Sequence, residues 1–409
     1  MKAIDSDLTP EAFAELLCSE QLGPELGRVG SKFVSNMLVG IQRTRSVNLT
    51  EVAKGLKENI RLHATHKRLS RNLDDPELAA NLSDRLLALG AATVQADTRL
   101  IVHLYELNKK YARKVEYLPD AGPDFGAGLK VCEIIAGDPE SETDTPLLAS
   151  VWSKEVPGFV SDVDEVKKAL HCVLEATGNK GMMYFDDQSM DGDFLLQIID
   201  EPDFNFITLM SDSQTEVFYR NEARPIQSLI ETVETPYGRT MFKLIPEGAS
   251  GVSKNTDVDL FMHAGALAIK LPNSSRNLRL IALKSKNRFV GEVAAPLITT
   301  ETNLRSRKAL MGLVESFLSM QDVLTAHQSL RDSFDPSSFR VLTYHRLRLL
   351  MTLLQGVMHY EVAMSGNATV SDHQFMPKPH DGDVNRTYFL PESKEDLNSK
   401  IQQASNDAK

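Results

Sequence analysis

Residues 100–114, LIVHLYELNKKYARK, decide the fold of this chain. The run opens with Leu100, Ile101 and Val102, which predict a buried strand, and it continues into a cationic, tyrosine-containing link. His103 stands at the end of the apolar run. A single histidine at such a position is most simply a hydrogen-bonded residue at a strand end, so its role depends on the blocks elsewhere in the chain.

The composition is that of a globular protein of two or three domains. The chain has 409 residues, of which 42% are apolar and 25% charged, and no apolar run approaches the roughly 20 residues that a membrane span needs. The N-terminus lacks the apolar core of a secretory signal, and Cys18, Cys132 and Cys172 predict neither a disulfide framework nor a zinc site. We therefore expect a cytoplasmic protein with no membrane partner.

The charge is divided unevenly along the chain. The net charge of −11 by itself disfavours a nucleic-acid binder, because phosphates are neutralised by Lys and Arg. Residues 28–73, however, hold ten Lys and Arg against only Glu51 and Glu58, a net charge of +8 that leaves −19 to the other residues. This distribution predicts a basic module on an acidic body. The alternative is an ordinary solvated helical surface.

Residues 1–95 are predicted to form a helical, basic domain of DNA-binding type. Apolar side chains recur at helical spacing from 31 to 45, Asn48 or Thr50 can cap a following helix, and residues 64–73 bring several cations together. Pro76 then opens a further helix. Short helices joined by a tight break, with a basic last helix, suit a helix-turn-helix-like reader, a pattern that many small bundles share.

From about residue 96 the pattern changes to that of an α/β protein. Apolar runs alternate with helical stretches, of which 162–176 is the clearest. The runs that predict strands are 100–104, 129–135, 182–185 and 204–210. We predict a first part of the core over 96–210, followed by a β-rich insertion of short strands over 211–304. C-terminal core helices are predicted over 305–363, and one of them is a long helix from 310 to 330. A disordered polar tail is predicted over 364–409.

The first block resembles that of DDE transposases of the cut-and-paste insertion-sequence type. In that family a strand ends in a metal-binding Asp, and a polar link leads to a Lys-x-Tyr-Ala-Lys-Lys-like run. This chain has His103 in place of the Asp, and the residues that match the run are Lys109, Tyr111, Ala112, Arg113 and Lys114. The resemblance implies an RNase H-like mixed sheet core, preceded by the helical domain and interrupted by the β-rich insertion.

Two further blocks follow in the family's order. Asp186 ends the predicted strand 182–186 and stands at the second catalytic position, although residues 187–189, Asp-Gln-Ser, replace the expected Arg-Gly-Gly. Residues 338–341, Ser-Phe-Arg-Val, resemble a third block of the family. Counting back from it places Phe317, Met320, Leu324 and Arg331 at the family's Tyr, Arg, catalytic Glu and Lys. One of three carboxylates is therefore retained, which is too few to hold two Mg²⁺ ions.

The resemblance implies a degenerate, domesticated transposase that is catalytically inactive, binds double-stranded DNA and serves as a regulator or recruitment factor. The degenerate catalytic positions are His103, Asp186 and Leu324, and no cofactor is expected. A homodimer and a protein effector are further implied partners, and bound DNA would place the protein on the nucleoid. The predicted DNA contacts are Arg43, Arg45, Arg61, Lys67, Arg68, Arg71, Lys109, Lys110, Arg113, Lys114 and Arg331.

Two other functional classes stay open. The first is an active Mg²⁺-dependent nuclease or transposase with a rearranged site, in which Asp186 acts with Asp191 or Asp193. The acidic cluster around Asp186 would be its weak cation site, and a solvated, charge-rich turn is the plainer interpretation. The second is a protein-interaction scaffold that uses the acidic body. The sequence contains no Gly-rich phosphate loop, HExxH pair or GxSxG elbow that would point to another chemistry.

Overall fold

The chain folds into two units, and the first is discontinuous in sequence. Unit 1 comprises Met1–Gly181 and Val323–His373, and unit 2 comprises Met182–Asp322 and Gln374–Lys409. The computed structural model describes residues 8–108, 115–118, 128–137, 144–186, 190, 192–200, 204–210, 212, 214–244, 258–272, 276–287 and 291–365.

Unit 1 begins with five helices, three of which start at a residue whose side chain caps the helix. They are α1 (Pro10–Leu17), α2 (Gly27–Thr44), α3 (Leu49–Gly55), α4 (Leu62–Asn72) and α5 (Pro76–Ala91). The side chains of Thr9, Asn48 and Asp75 cap α1, α3 and α5, and each accepts a hydrogen bond from a main-chain N–H of the first turn. Asn48, one of the two predicted capping residues, is therefore confirmed as the cap.

Three antiparallel strands follow in unit 1. These strands, β1 (Arg99–Asn108), β2 (Gly128–Gly137) and β3 (Asp144–Trp152), lie in the order β3-β2-β1. The register of β1 and β2 places His103 opposite Glu133. The next helix, α6 (Asp162–Thr177), starts after the N-cap Ser161 and ends at Gly178, whose left-handed backbone (φ 63°) suits glycine.

The C-terminal helices complete unit 1. They are α10 (Met320–Asp332), of which the part from Val323 belongs to this unit, and α11 (Tyr344–Ser365). Residues 347–360 of α11 are almost all buried, and the helix packs against α2, α5 and β3. A helix that is covered on most of its circumference needs apolar residues on every face, which explains its weak amphipathic pattern.

Unit 2 contains six strands of a mixed sheet. Its elements are β4 (Met182–Phe185), α7 (Gly192–Ile199), β5 (Phe206–Leu209), β6 (Glu216–Tyr219), β7 (Glu222–Pro225), α8 (Ile226–Thr232), β8 (Tyr237–Leu244), β9 (Val258–Ile269), β10 (Leu278–Asn287), β11 (Gly291–Thr299) and α9 (Arg307–Leu318). The order is β4-β5-β11-β10-β9-β8, with β4 and β5 parallel and the other neighbours antiparallel. A separate hairpin, β6-β7, turns at Arg220 and Asn221, whose positive φ angles of 51° and 69° suit a two-residue hairpin turn.

The predicted α/β class with a mixed sheet is confirmed, and two details are corrected. The segment 211–304 is β-rich as predicted, but β8 to β11 are strands of 8 to 12 residues and not the short strands expected. The single long helix predicted from 310 to 330 is wrong, because α9 ends at Leu318 and the Ser319 hydroxyl donates to the Ser316 carbonyl, which competes with helical bonding. The four predicted domain boundaries stay predictions.

No helix among the described residues is long and apolar enough to cross a membrane. The predicted tail lies outside the described residues from 366 onward.

Candidate functional site

His103, at the first of the three predicted catalytic positions, is buried in unit 1 and faces polar neighbours. It lies within β1, so the predicted place at a strand end is wrong: the strand continues to Asn108. Its Nε2 atom lies 3.2 Å from the amide nitrogen of Gln328, on α10. Its ring stacks on that of Tyr105, two residues along the same face of the strand, at 5.8 Å between centroids.

Opposite His103, the carboxylate of Glu133 is the centre of a buried polar group. The Tyr105 hydroxyl donates to its Oε1 atom at 3.1 Å, and the Arg331 guanidinium donates to Oε2 at 3.0 Å. The His327 Nε2 atom lies 3.3 Å from the same Oε2. We call these six residues, His103, Tyr105, Glu133, His327, Gln328 and Arg331, the Glu133 cluster.

The Glu133 cluster holds a carboxylate ionised in the protein interior. Burial acts to raise the pKa of Glu133, but the neighbouring His327, Arg331 and His103 outweigh it and lower the pKa to about 2. Arg331 also lies 3.7 Å from the centroid of the Tyr105 ring, a cation–π contact that adds to its pairing with Glu133. The charges of Glu133 and Arg331 therefore compensate each other, and the polar contacts of the cluster link β1, β2 and α10.

The residue types at the degenerate positions do not fit two Mg²⁺ ions. Mg²⁺ takes oxygen ligands, and His103 and Leu324 offer none. Glu133 is the carboxylate opposite His103, yet both of its oxygens already accept hydrogen bonds, and the Arg331 guanidinium and the His327 ring lie beside it. Among the described residues, no three His, Cys, Asp or Glu side chains are grouped as a metal would require.

Asp186 lies in unit 2, directly after β4. Its side chain is buried, and its Oδ1 atom accepts a hydrogen bond of 3.2 Å from the Gln321 amide. Residues 187–189 and Asp191, which would complete the turn and the alternative site, lie outside the described residues. The described residue Asp193 is exposed in the first turn of α7.

The third block is apolar and mainly forms core. Phe317, Met320 and Leu324 are buried, so none presents a charged group at the positions where the family has Tyr, Arg and Glu. Phe339 and Val341 of the Ser-Phe-Arg-Val stretch belong to the hydrophobic core of unit 1.

The basic segment presents a set of exposed cations on unit 1. Lys67 and Arg71 are exposed and lie four residues apart on α4, opposite its buried residues Thr65 and Leu69. Arg61 is exposed at the N-cap of the same helix. Within the described chain, six exposed cations of this segment form no ion pair: Arg28, Lys32, Lys57, Arg61, Lys67 and Arg71.

Three of the predicted DNA contacts are already paired within the protein. Arg43 lies 2.9 Å from Glu11. Arg45, in a left-handed conformation at the end of α2, lies 3.0 Å from Glu361 and stacks on Phe334 at 4.6 Å. Arg68 donates to both oxygens of Glu58, at 2.8 and 3.0 Å.

The remaining predicted contacts are of two kinds. Lys109, Lys110, Arg113 and Lys114 lie outside the described residues. Arg331 is described, and only 7% of it is exposed, since it belongs to the Glu133 cluster. Its predicted phosphate contact stays a prediction, and its present partner is Glu133.

Sequence reasoning missed most members of the Glu133 cluster. Glu133 is the single acid in the apolar run of β2, and an acid in such a run requires a buried partner. That signal could have identified Glu133 but not His327 or Gln328, which come from a helix far along the chain.

Comparisons with known proteins give a structural likeness only. No family model matches the sequence, and no curated protein matches it. Among solved structures, the chain is similar to piggyBac transposase, determined by cryo-EM as a synaptic complex with hairpin DNA. The identity is 8%, the match covers 98% of this chain and 81% of that one, and the TM-score is 0.46. The likeness to a transposase fold is distant.

Proposed function

We propose that this chain is a transposase-like protein that binds double-stranded DNA through its N-terminal helices and does not cleave it. The observation that carries the proposal is the set of six exposed cations between Arg28 and Arg71 that form no ion pair within the described chain. Exposed cations without protein partners are available to replace counterions on DNA. The net charge of the whole chain, −11, does not oppose this because the cations are concentrated in one segment.

The arrangement of α3 and α4 supports the same interaction. The turn between them is fixed by Glu58, whose carboxylate accepts from Thr65 and from Arg68, both on α4. This fixed turn holds α4 with Lys67 and Arg71 outward, about 6 Å apart along the helix axis. A short helix, a tight turn and a second helix with a cationic exposed face are the parts of a helix-turn-helix reader.

The proposed absence of cleavage rests on the chemistry of the degenerate positions. Two-metal cleavage requires carboxylates that position both Mg²⁺ ions. His103 is committed to the Glu133 cluster and Leu324 is apolar, so Asp186 is the one carboxylate at the three positions. A protein that binds without cutting would act by occupancy, as a regulator, a competitor of a related transposase, or a tether for a protein effector, with a homodimer as the proposed form.

We also propose that the core is RNase H-like, with the domain limits predicted from the sequence. In chain order, the meander β1-β2-β3 is followed by α6, β4, α7, β5, a β-rich segment and the late helix α10. The opening strand, the helix before the second strand, the next strand and the late helix thus follow the order that the transposase resemblance implies.

The DNA proposal is tested by the salt dependence of binding. The full chain is titrated with a fluorescent duplex between about 50 and 200 mM salt, where a binder with several phosphate contacts loses affinity steeply. The double variant Lys67→Gln with Arg71→Gln should reduce the slope of log K against log salt by about two, since each lost contact removes about 0.9. The matched control, Arg43→Gln with Lys54→Gln, removes the same charge from cations paired with Glu11 and Glu51 and should leave the slope nearly unchanged.

Two outcomes would contradict the proposal. Absence of duplex binding at low salt would exclude DNA as the partner and would favour the scaffold alternative. Nicking of a supercoiled plasmid with Mg²⁺ or Mn²⁺, lost in Asp186→Ala, would instead support the alternative of an active enzyme with a rearranged site.

A further inference from the structure

Two large apolar side chains are exposed at the start of α4. Ile60, in the turn, is 52% exposed, and Leu62, the first residue of the helix, is 42% exposed. They flank Arg61, which is also exposed, and Lys57 is an exposed cation of the same turn. Ile60 and Leu62 are about half exposed, and they lie beside two cations that form no ion pair within the described chain. Together these residues form a mixed apolar and cationic tip.

The tip is held in a defined conformation. The Thr65 hydroxyl and the Arg68 guanidinium both donate to the Glu58 carboxylate, at 2.8 Å, so the turn is fixed to the helix two residues before Ile60. The Ala64 N–H donates to the Arg61 carbonyl at 2.8 Å, which closes the first turn of α4. The exposure of Ile60 and Leu62 is thus set by an anchored turn.

We propose that Ile60 and Leu62 read thymine methyl groups in the major groove of DNA, an inference that rests on the proposed DNA-binding function. In helix-turn-helix proteins, the residues at the start of the second helix contact base edges. Apolar side chains there pack against the C5-methyl group of thymine, which is displayed only in the major groove. Arg61, Lys67 and Lys57 supply the charge complementarity to the phosphates on either side.

The proposed target is a DNA duplex with thymine at one or two defined positions. Selection of bound duplexes from a random pool with the full chain should enrich thymine at those positions. The best duplex is then synthesised with uracil in place of thymine, one position at a time, which removes a single methyl group and keeps all base-pairing. Loss of one buried methyl contact should weaken binding by about fourfold.

Matched variants assign the effect to the tip. Ile60→Ala and Leu62→Ala should bind the thymine duplex about as weakly as the unaltered chain binds the uracil duplex. At each thymine position, one of the two variants should bind the thymine and uracil duplexes with equal affinity. The control is Val160→Ala, an apolar residue that is 74% exposed outside the basic segment, which should keep the full discrimination. All three side chains are exposed, so the fold should be retained, and the fluorescence of Trp152 checks it.

The outcomes separate this inference from the proposed function. Salt-dependent duplex binding with equal affinity for thymine and uracil, or a selected site without thymine, overturns the methyl reading and leaves DNA binding standing. Equal losses on both duplexes in Ile60→Ala and Leu62→Ala also overturn it, because the tip would then make a contact of another kind. Absence of duplex binding at low salt overturns both.

Discussion

Replacing Glu133 by glutamine should destabilise unit 1 strongly, although the two side chains have nearly the same shape. The change removes the negative charge that Arg331 and His327 face, and it leaves the buried Arg331 guanidinium with only the exposed carboxylate of Asp332, 3.5 Å from its Nε atom, as a counter-charge. The pKa of Glu133 is lowered from 4.5 to about 2. At about 1.4 kcal/mol for each pKa unit, the ionised form gains about 3 kcal/mol on folding. Removal of one partner of a buried pair costs a similar amount.

The assay is urea unfolding of the full chain, followed by fluorescence. The chain contains one tryptophan, Trp152, which is buried in β3, so the signal reports on unit 1. At neutral pH, Glu133→Gln should lower the free energy of unfolding by about 3 kcal/mol. The control is Glu11→Gln, which breaks an ion pair whose side chains are 47% and 48% exposed and should cost under about 1 kcal/mol.

The pH dependence of the effect has a defined sign. Because the pKa of Glu133 is lower in the folded state, its contribution is present above the ordinary value of 4.5 and is lost as the pH falls toward 2. The gap between the unaltered chain and Glu133→Gln should therefore be constant near neutral pH and shrink below 4.5. The double change Glu133→Leu with Arg331→Met should recover most of the loss, since it leaves no unpaired charge. A loss in Glu133→Gln no larger than in Glu11→Gln would refute the reasoning.

Three other predictions follow from single sites. Lys57 has a positive φ of 49°, so Lys57→Gly should raise the free energy of unfolding by about 1 kcal/mol in urea titrations. The same variant should bind a DNA duplex more weakly, because it lacks the cation. Burial lowers the pKa of His359 from 6.5 to about 4, so stability should fall by about 3 kcal/mol as the pH drops from 6.5 to 4, and His359→Leu should abolish this dependence. A Cβ atom at Gly40 would lie 2.6 Å from Val52 Cγ1, so Gly40→Ala should lower the thermal midpoint, at a cost of about 1 to 3 kcal/mol.

Local signals in the sequence predicted the elements that local physics determines. Asn48 caps α3, Pro76 begins α5, and the stretch 162–176 is the helix α6, because capping and helical periodicity act over a few residues. The break at Ser319 was missed because its cause is a side-chain hydrogen bond that the apolar pattern across it conceals.

Contacts between distant residues could not be predicted in the same way. Arg331 and Glu133 are 198 positions apart, and Arg43 and Glu11 are 32 apart. The sequence gives the ten Lys and Arg of the basic segment. The tertiary arrangement decides which of them are exposed and form no ion pair. The cluster around His103 was hidden for the same reason, since its partners come from three different elements.

The discontinuity of unit 1 has a consequence for how the protein is made. Residues of α11 are needed to cover α2 and α5, and the Tyr360 hydroxyl donates to the carbonyl of Leu8 near the start of the chain. At about 5 to 20 residues per second, the ribosome needs some tens of seconds to pass from the first helices to α11. During that interval the apolar faces of α2 and α5 that α11 covers remain exposed, while Met182–Asp322 is synthesised between the two sequence segments of unit 1. Nascent chains of this protein should thus expose these apolar faces until α11 emerges, and N-terminal fragments should be poor substitutes for the full chain.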